Sequence, residues 1–186
     1  MKINLVLLEF RKISLGLKIV NEFTKNYDIE IILSKIICPG KYLVLFSGEL
    51  SIIEEIEKNL KSLKTFDEKY KSTEIIVVTS IERKLLEKIN IKLLKNEEIE
   101  CLGIVETLNA IKAIEVSDYI ENESNVEIIL IKIGLGMNSK GLVLFKGKAS
   151  DVKELLEKLK KIKENNFIDC EEINLPTQNF LKSFNL

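Results

Sequence analysis

Apolar and polar positions along this chain follow two rhythms, and the order of the rhythms repeats. Residues 3–9 and 101–107 are apolar runs that each end in a glutamate, Glu9 and Glu106, and both predict strands. Residues 13–25 and 110–122 carry apolar or small positions at helical spacing (Ile13, Leu17, Val20; Ala110, Ile114, Ser117). Residues 29–37 and 41–47 are β-rich runs separated by Cys38-Pro39-Gly40, which predicts a hairpin. Ser51 with Glu54 has capping-box spacing and predicts a helix to about Leu63; Ser150 is the matching cap for a helix through Lys163. Short runs at Ile75–Val78 and Phe167–Cys170 predict closing strands.

The similarity extends to residue identity. Asp28-Ile-Glu-Ile-Ile-Leu-Ser-Lys-Ile36 lies over Asn125-Val-Glu-Ile-Ile-Leu-Ile-Lys-Ile133, and Lys41-Tyr-Leu-Val-Leu-Phe-Ser-Gly48 over Lys140-Gly-Leu-Val-Leu-Phe-Lys-Gly147. Glu9 falls on Glu106 and Glu55 on Glu154. The offset is 97 before the hairpin turn and 99 after it, so the second copy carries two extra residues there. Each copy reads strand, helix, strand, strand, helix, strand: an α+β unit with helices on one face of an antiparallel sheet. The expected domains are 1–98, ending in a linking helix over 80–98 capped by Ser80, and 99–186.

Charge and composition narrow the function. Lys+Arg is 28 and Asp+Glu is 29, so no phosphate-binding surface rests on bulk charge and no nucleic-acid partner is expected. At 46% hydrophobic and 31% charged, the chain has the composition of a packed globular protein. The opening MKINLVLLEFRK is too short for a signal-peptide core and nothing reads as a membrane span, so an intracellular protein without a membrane partner is expected. Histidine is absent, which removes the usual general base and most zinc sites and argues against an enzyme. The three cysteines, Cys38, Cys101 and Cys170, are far apart, which disfavours a disulfide framework.

Several segments resemble one known family. Leu102-Gly-Ile-Val-Glu-Thr107, Ala110-Ile-Lys-Ala-Ile-Glu-Val-Ser-Asp118 and the Asn125-Val strand look like the opening of a bacterial microcompartment shell domain, and Gly147-Lys-Ala-Ser-Asp-Val152 resembles its turn into the second helix. Ser34-Lys-Ile-Ile-Cys-Pro-Gly-Lys41 is similar to a segment of the tandem shell proteins of propanediol-utilisation compartments. The resemblance implies tandem ferredoxin-like domains, a homotrimer forming a pseudohexameric tile, and other shell proteins as partners in a cytoplasmic compartment wall. In that subtype one cysteine per subunit ligates an iron–sulfur cluster at the threefold pore. On this chain that role falls to Cys38, with a cluster expected to be 4Fe-4S shared by three subunits, and a redox enzyme as a further partner.

Turn chemistry independently supports an exposed Cys38, because Pro39 fixes its own φ and Gly40 permits positive φ. Lys35 and Lys41 nearby would offset thiolate charge. The alternative is a free thiol in a turn. Pro39, Gly40 and Lys41 are the expected pore-lining neighbours, joined from the second copy by Gly134, Gly136, Met137 and Asn138. The segment Gly134-Leu-Gly-Met-Asn-Ser-Lys-Gly141 fails the phosphate-loop pattern, since no Gly-Lys-Ser/Thr occurs and it joins two strands. Cys101 and Cys170 read as buried small hydrophobes. Lys25 matches the family lysine that reaches across the tile edge; a solvated lysine at a helix end is the alternative. Asn122 replaces it in the second copy, and Asn174-Leu-Pro-Thr-Gln178 lacks the Arg and His of the family's Pro-Arg-Pro-His segment. Three functions therefore compete: a tile with a pore cluster for electron transfer or cluster delivery, a tile with an open metabolite pore, and a small-ligand-binding regulatory module.

Overall fold

In the computed structural model, which describes residues 2–89, 98–134, 140–161 and 167–183, the first apolar run becomes β1 (Lys2–Phe10). It is followed by α1 (Ile13–Asn26), β2 (Ile29–Ile37), β3 (Lys41–Gly48), α2 (Leu50–Phe66) and β4 (Glu74–Glu82). The sheet order is β2-β3-β1-β4, and every pairing is antiparallel. Period-2 alternation aims Val6, Leu8, Phe10, Tyr42, Val44 and Phe46 at the helices, where they meet Ile19 and Val20 of α1 and Ile53, Ile56 and Leu60 of α2. Full burial of side chains this large contributes roughly 1.5–3 kcal/mol each.

The second unit repeats the plan. Its elements are β5 (Cys101–Thr107), α3 (Ala110–Glu123), β6 (Glu127–Ile133), β7 (Gly141–Gly147), α4 (Ala149–Lys161) and β8 (Phe167–Asn174), with sheet order β6-β7-β5-β8. The helix starts keep the offsets of 97 and 99 read from the sequence. A last helix, α5 (Gln178–Ser183), had no counterpart in the sequence reading; its Phe180 and Leu181 pack on a cluster of Ile99, Leu102, Ile129, Leu130 and Leu144.

Close packing of helix on sheet is solved differently in the two units. A Cβ on Gly16 would stand 2.6 Å from the Tyr42 ring and 2.8 Å from Phe10. In the second unit the helix position holds Ala113 and the strand position holds Gly141, where a Cβ would stand 2.5 Å from the Ala113 Cβ and 2.6 Å from Thr107 Oγ1. The small residue has changed sides. Gly16→Ala would ordinarily gain about 1 kcal/mol of helix propensity. Here the ring contacts dominate, and denaturant unfolding is expected to show a net loss of about 1–2 kcal/mol.

Three local expectations need correction. Ser51 and Ser150 lie inside their helices, because α2 begins at Leu50 and α4 at Ala149. Glu49 holds the first N-cap position without a side-chain bond, whereas in the second unit Glu100 reaches from beside β5 to accept the Ala149 N–H at 3.0 Å. Ser80 does not cap a helix. It belongs to β4, at a bulge opposite Asn4, with φ +61° and its N–H donated to Asn4 Oδ1 at 3.2 Å. The expected linking helix is a 3-10 helix at Arg83–Lys88, and residues 90–97 lie outside the described part. The chain forms two compact units divided after Arg83, with Gly134 counted in the first. The segment from Lys84 belongs with the second, through ion pairs of Lys84 with Glu121 and Lys88 with Glu127 and a bridge from Ile89 to Ile131.

Candidate functional site: the β2–β3 turn

Ile37 and Lys41 pair as the last rung of the β2–β3 ladder, which leaves Cys38, Pro39 and Gly40 as the turn. All three are exposed, and Gly40 takes φ +71°, a conformation that glycine adopts without a Cβ penalty. Ile37 is buried, so the chain passes from core to solvent within one residue.

The base of the turn is tied down. Lys41 Nζ donates to Glu9 Oε1, and the pair is largely enclosed, with side chains 17% and 4% exposed. Beside it, the Ser34 and Tyr42 hydroxyls share a hydrogen bond of 2.8 Å, and the Tyr42 ring stacks on Phe10 at 6.2 Å. Lys41, expected beside the thiolate as a charge-offsetting cation, is ion-paired with Glu9. The second unit repeats the tie with Lys140 on Glu106, in a more open setting of 44% and 33%. Neither pair was foreseen as an interaction, although the matching of Glu9 with Glu106 and of Lys41 with Lys140 in the repeat carried the signal.

Of the other expected site residues, Gly134 is buried at the end of β6 with φ +92°, while Gly136, Met137 and Asn138 lie outside the described residues. Lys25 is exposed in the last turn of α1. Its counterpart Asn122 donates to its own helix, at Asp118 O, over 2.8 Å. Where the family's Pro-Arg-Pro-His segment is missing, Leu175 turns with φ +47°, its N–H donating to Glu100 O, and Thr177 Oγ1 accepts the Phe180 N–H as α5 begins.

The other two thiols differ sharply from Cys38. Cys101 opens β5 and Cys170 lies within β8; both are buried. Burial pushes the Cys101 thiol above its ordinary pKa, with Glu172 and Glu100 adding to the effect. Native protein treated with a thiol reagent at neutral pH is therefore expected to label Cys38 rapidly and Cys101 and Cys170 only after denaturation. Equal rates at all three would refute the assigned burial. Among the described residues of one chain, no three Cys, Asp or Glu side chains converge as a metal site.

Residues 101–174 match the family of the BMC domain. The bacterial microcompartment shell protein PduT of Citrobacter freundii is 25% identical over 146 residues, spanning 78% of this chain and 77% of that protein. A microcompartment protein from Desulfitobacterium hafniense DCB has the same fold: the match has a TM-score of 0.79 at 22% identity and covers 98% of this chain and 99% of that one. The match falls within the second unit, and the first unit has the same sheet order. Over residues 101–174 the chain is thus similar to the BMC domain, and over most of its length it is similar to a microcompartment shell protein.

Proposed function

We propose that this chain is a bacterial microcompartment shell protein, working as a homotrimeric, pseudohexameric tile whose three Cys38 thiolates hold one iron–sulfur cluster, of 4Fe-4S type, at the threefold axis. The observation that carries this reading is the exposed Cys38 on a clamped turn, set against two buried cysteines. Thiolate is the ligand such clusters require, and histidine is absent from the chain. One cysteine per chain is too few for a cluster, and three brought together by symmetry suffice for three irons of a cube. Bound there, the cluster would supply electron transfer across the shell or be delivered onward, with other shell proteins at the tile edges and a redox enzyme as the exchange partner. Lys25, exposed at its helix end, is assigned to the tile edge.

Anaerobic purification, iron analysis and light scattering test this directly. The parent is expected to be a brown trimer, and Cys38→Ser a colourless trimer without iron. Cys101→Ser and Cys170→Ser should keep the iron and lose some stability, because each places a hydroxyl in an apolar site. Retention of the parent's iron by Cys38→Ser overturns the cluster assignment, and a colourless parent trimer after reconstitution favours an open pore.

A further inference from the structure

The geometry points to a binding site on the second unit for a p-hydroxyphenyl group, in a cavity of about 90 Å³ lined by Ser124, Asn125, Asp151, Glu154, Leu155 and Lys158. The first unit shows what belongs there. The repeat maps these six positions onto Tyr27, Asp28, Ile52, Glu55, Ile56 and Asn59. Tyr27 is the C-cap residue of α1, as Ser124 is of α3, with extended backbone in both cases. In the first unit the Tyr27 ring packs on the core cluster that includes Ile56 and meets Phe23 edge-on at 5.8 Å. Its hydroxyl donates to Glu55 Oε1 at 3.0 Å and accepts from Asn59 Nδ2 at 3.0 Å.

In the second unit the ring is gone and its surroundings persist. Ser124 turns its hydroxyl back to Ile120 O at 2.5 Å. Buried Leu155 stands where Ile56 supports the ring, and buried Ile120 where Phe23 does. The acceptor is kept as Glu154, and the donor Asn59 has become Lys158; without a hydroxyl between them, these two bond each other at 2.7 Å. The cavity is smaller than the ~150 Å³ that takes a benzene ring in an enclosed apolar core, and it is open on one side, so part of a bound ring stays in contact with solvent. Its rim is more polar than the first unit's, because Asp151 replaces Ile52. An apolar ring with one hydroxyl therefore suits it better than a hydrocarbon: the ring lies on Leu155, and the hydroxyl enters between Glu154 and Lys158 as the Tyr27 hydroxyl does between Glu55 and Asn59.

Saturation-transfer NMR on the full-length protein, with p-cresol and toluene as probes, tests this. p-Cresol is expected to bind about tenfold more tightly than toluene, the worth of one hydroxyl bonded to a charged partner. Glu154→Ala, at an exposed position, should remove that preference while toluene binding stays the same. Ser124→Tyr should occupy the cavity from within, abolish p-cresol binding and raise the melting temperature. Equal binding of the two probes, or p-cresol affinity unchanged in Glu154→Ala, overturns the assignment. Neither readout depends on iron or on Cys38.

Discussion

Lys41→Met will unfold at markedly lower denaturant than the parent, with a loss of about 3–5 kcal/mol, and Lys140→Met will lose under about 1 kcal/mol. The two lysines occupy the same place in the repeat and contact the same kind of glutamate, so the difference isolates the effect of enclosure. Glu9 has a side chain only 4% exposed. Without the Lys41 ammonium, its carboxylate loses its ion-pair partner in a site that water reaches poorly. Methionine matches the length of the lysine stem, so packing is largely kept and the lost charge dominates. Glu106 is 33% exposed and is rehydrated when Lys140 is removed. Adding Glu9→Gln to Lys41→Met should restore much of the loss, because the stranded charge is gone. Equal losses at the two lysines would mean that both pairs experience the same dielectric.

Gly103→Ala will cost about 2–3 kcal/mol, an effect usually associated with truncation and here produced by one added methyl group. A Cβ at Gly103 would lie 2.1 Å from Phe145 Cε2 and 2.3 Å from its Cζ. Gly103 and Phe145 are direct partners on β5 and β7, so the ring lies flat over the glycine. Phe145 is fully buried, so moving its ring means displacing its neighbours. The first unit places Val6 opposite Phe46 at the corresponding rung, which shows that the fold accepts a side chain there once the ring takes another course. Phe145→Leu is accordingly expected to rescue Gly103→Ala by more than 1 kcal/mol, read as coupling in a double-mutant cycle.

The repeated strand–helix–strand–strand–helix–strand order was legible because each strand alternates and each helix of the βαββαβ unit has an apolar stripe, twice over. Bounds agreed closely, as for β2 at 29–37 and α1 at 13–26. Capping was misread at Ser51, Ser150 and Ser80, because a serine near a helix start is only a local signal. The real partners come from elsewhere in the chain, Glu100 for Ala149 and Asn4 for Ser80. Helix α5 was missed since six residues are too few for periodicity to register, and Thr177 as its cap was the one clue. At the turn, the exposure of Cys38 followed from Pro39 and Gly40. The engagement of Lys41 by Glu9 did not, because it joins residues 32 apart across neighbouring strands.

In the first unit the Glu–Lys tie lies at the base of the turn and makes no use of Cys38, Pro39 or Gly40; in the second its lysine is the last residue before β7. Cys-Pro-Gly precedes the lysine of one tie in the sequence, and a segment two residues longer, of unrelated sequence, precedes the lysine of the other. A loop anchored in this way is an interchangeable cassette. The duplicated chain has drawn on that freedom, giving one copy a thiol and the other none, and in the trimer proposed above that thiol would recur three times around the axis. Loops of other lengths, spliced between Ile37 and Lys41, would inherit the same mounting.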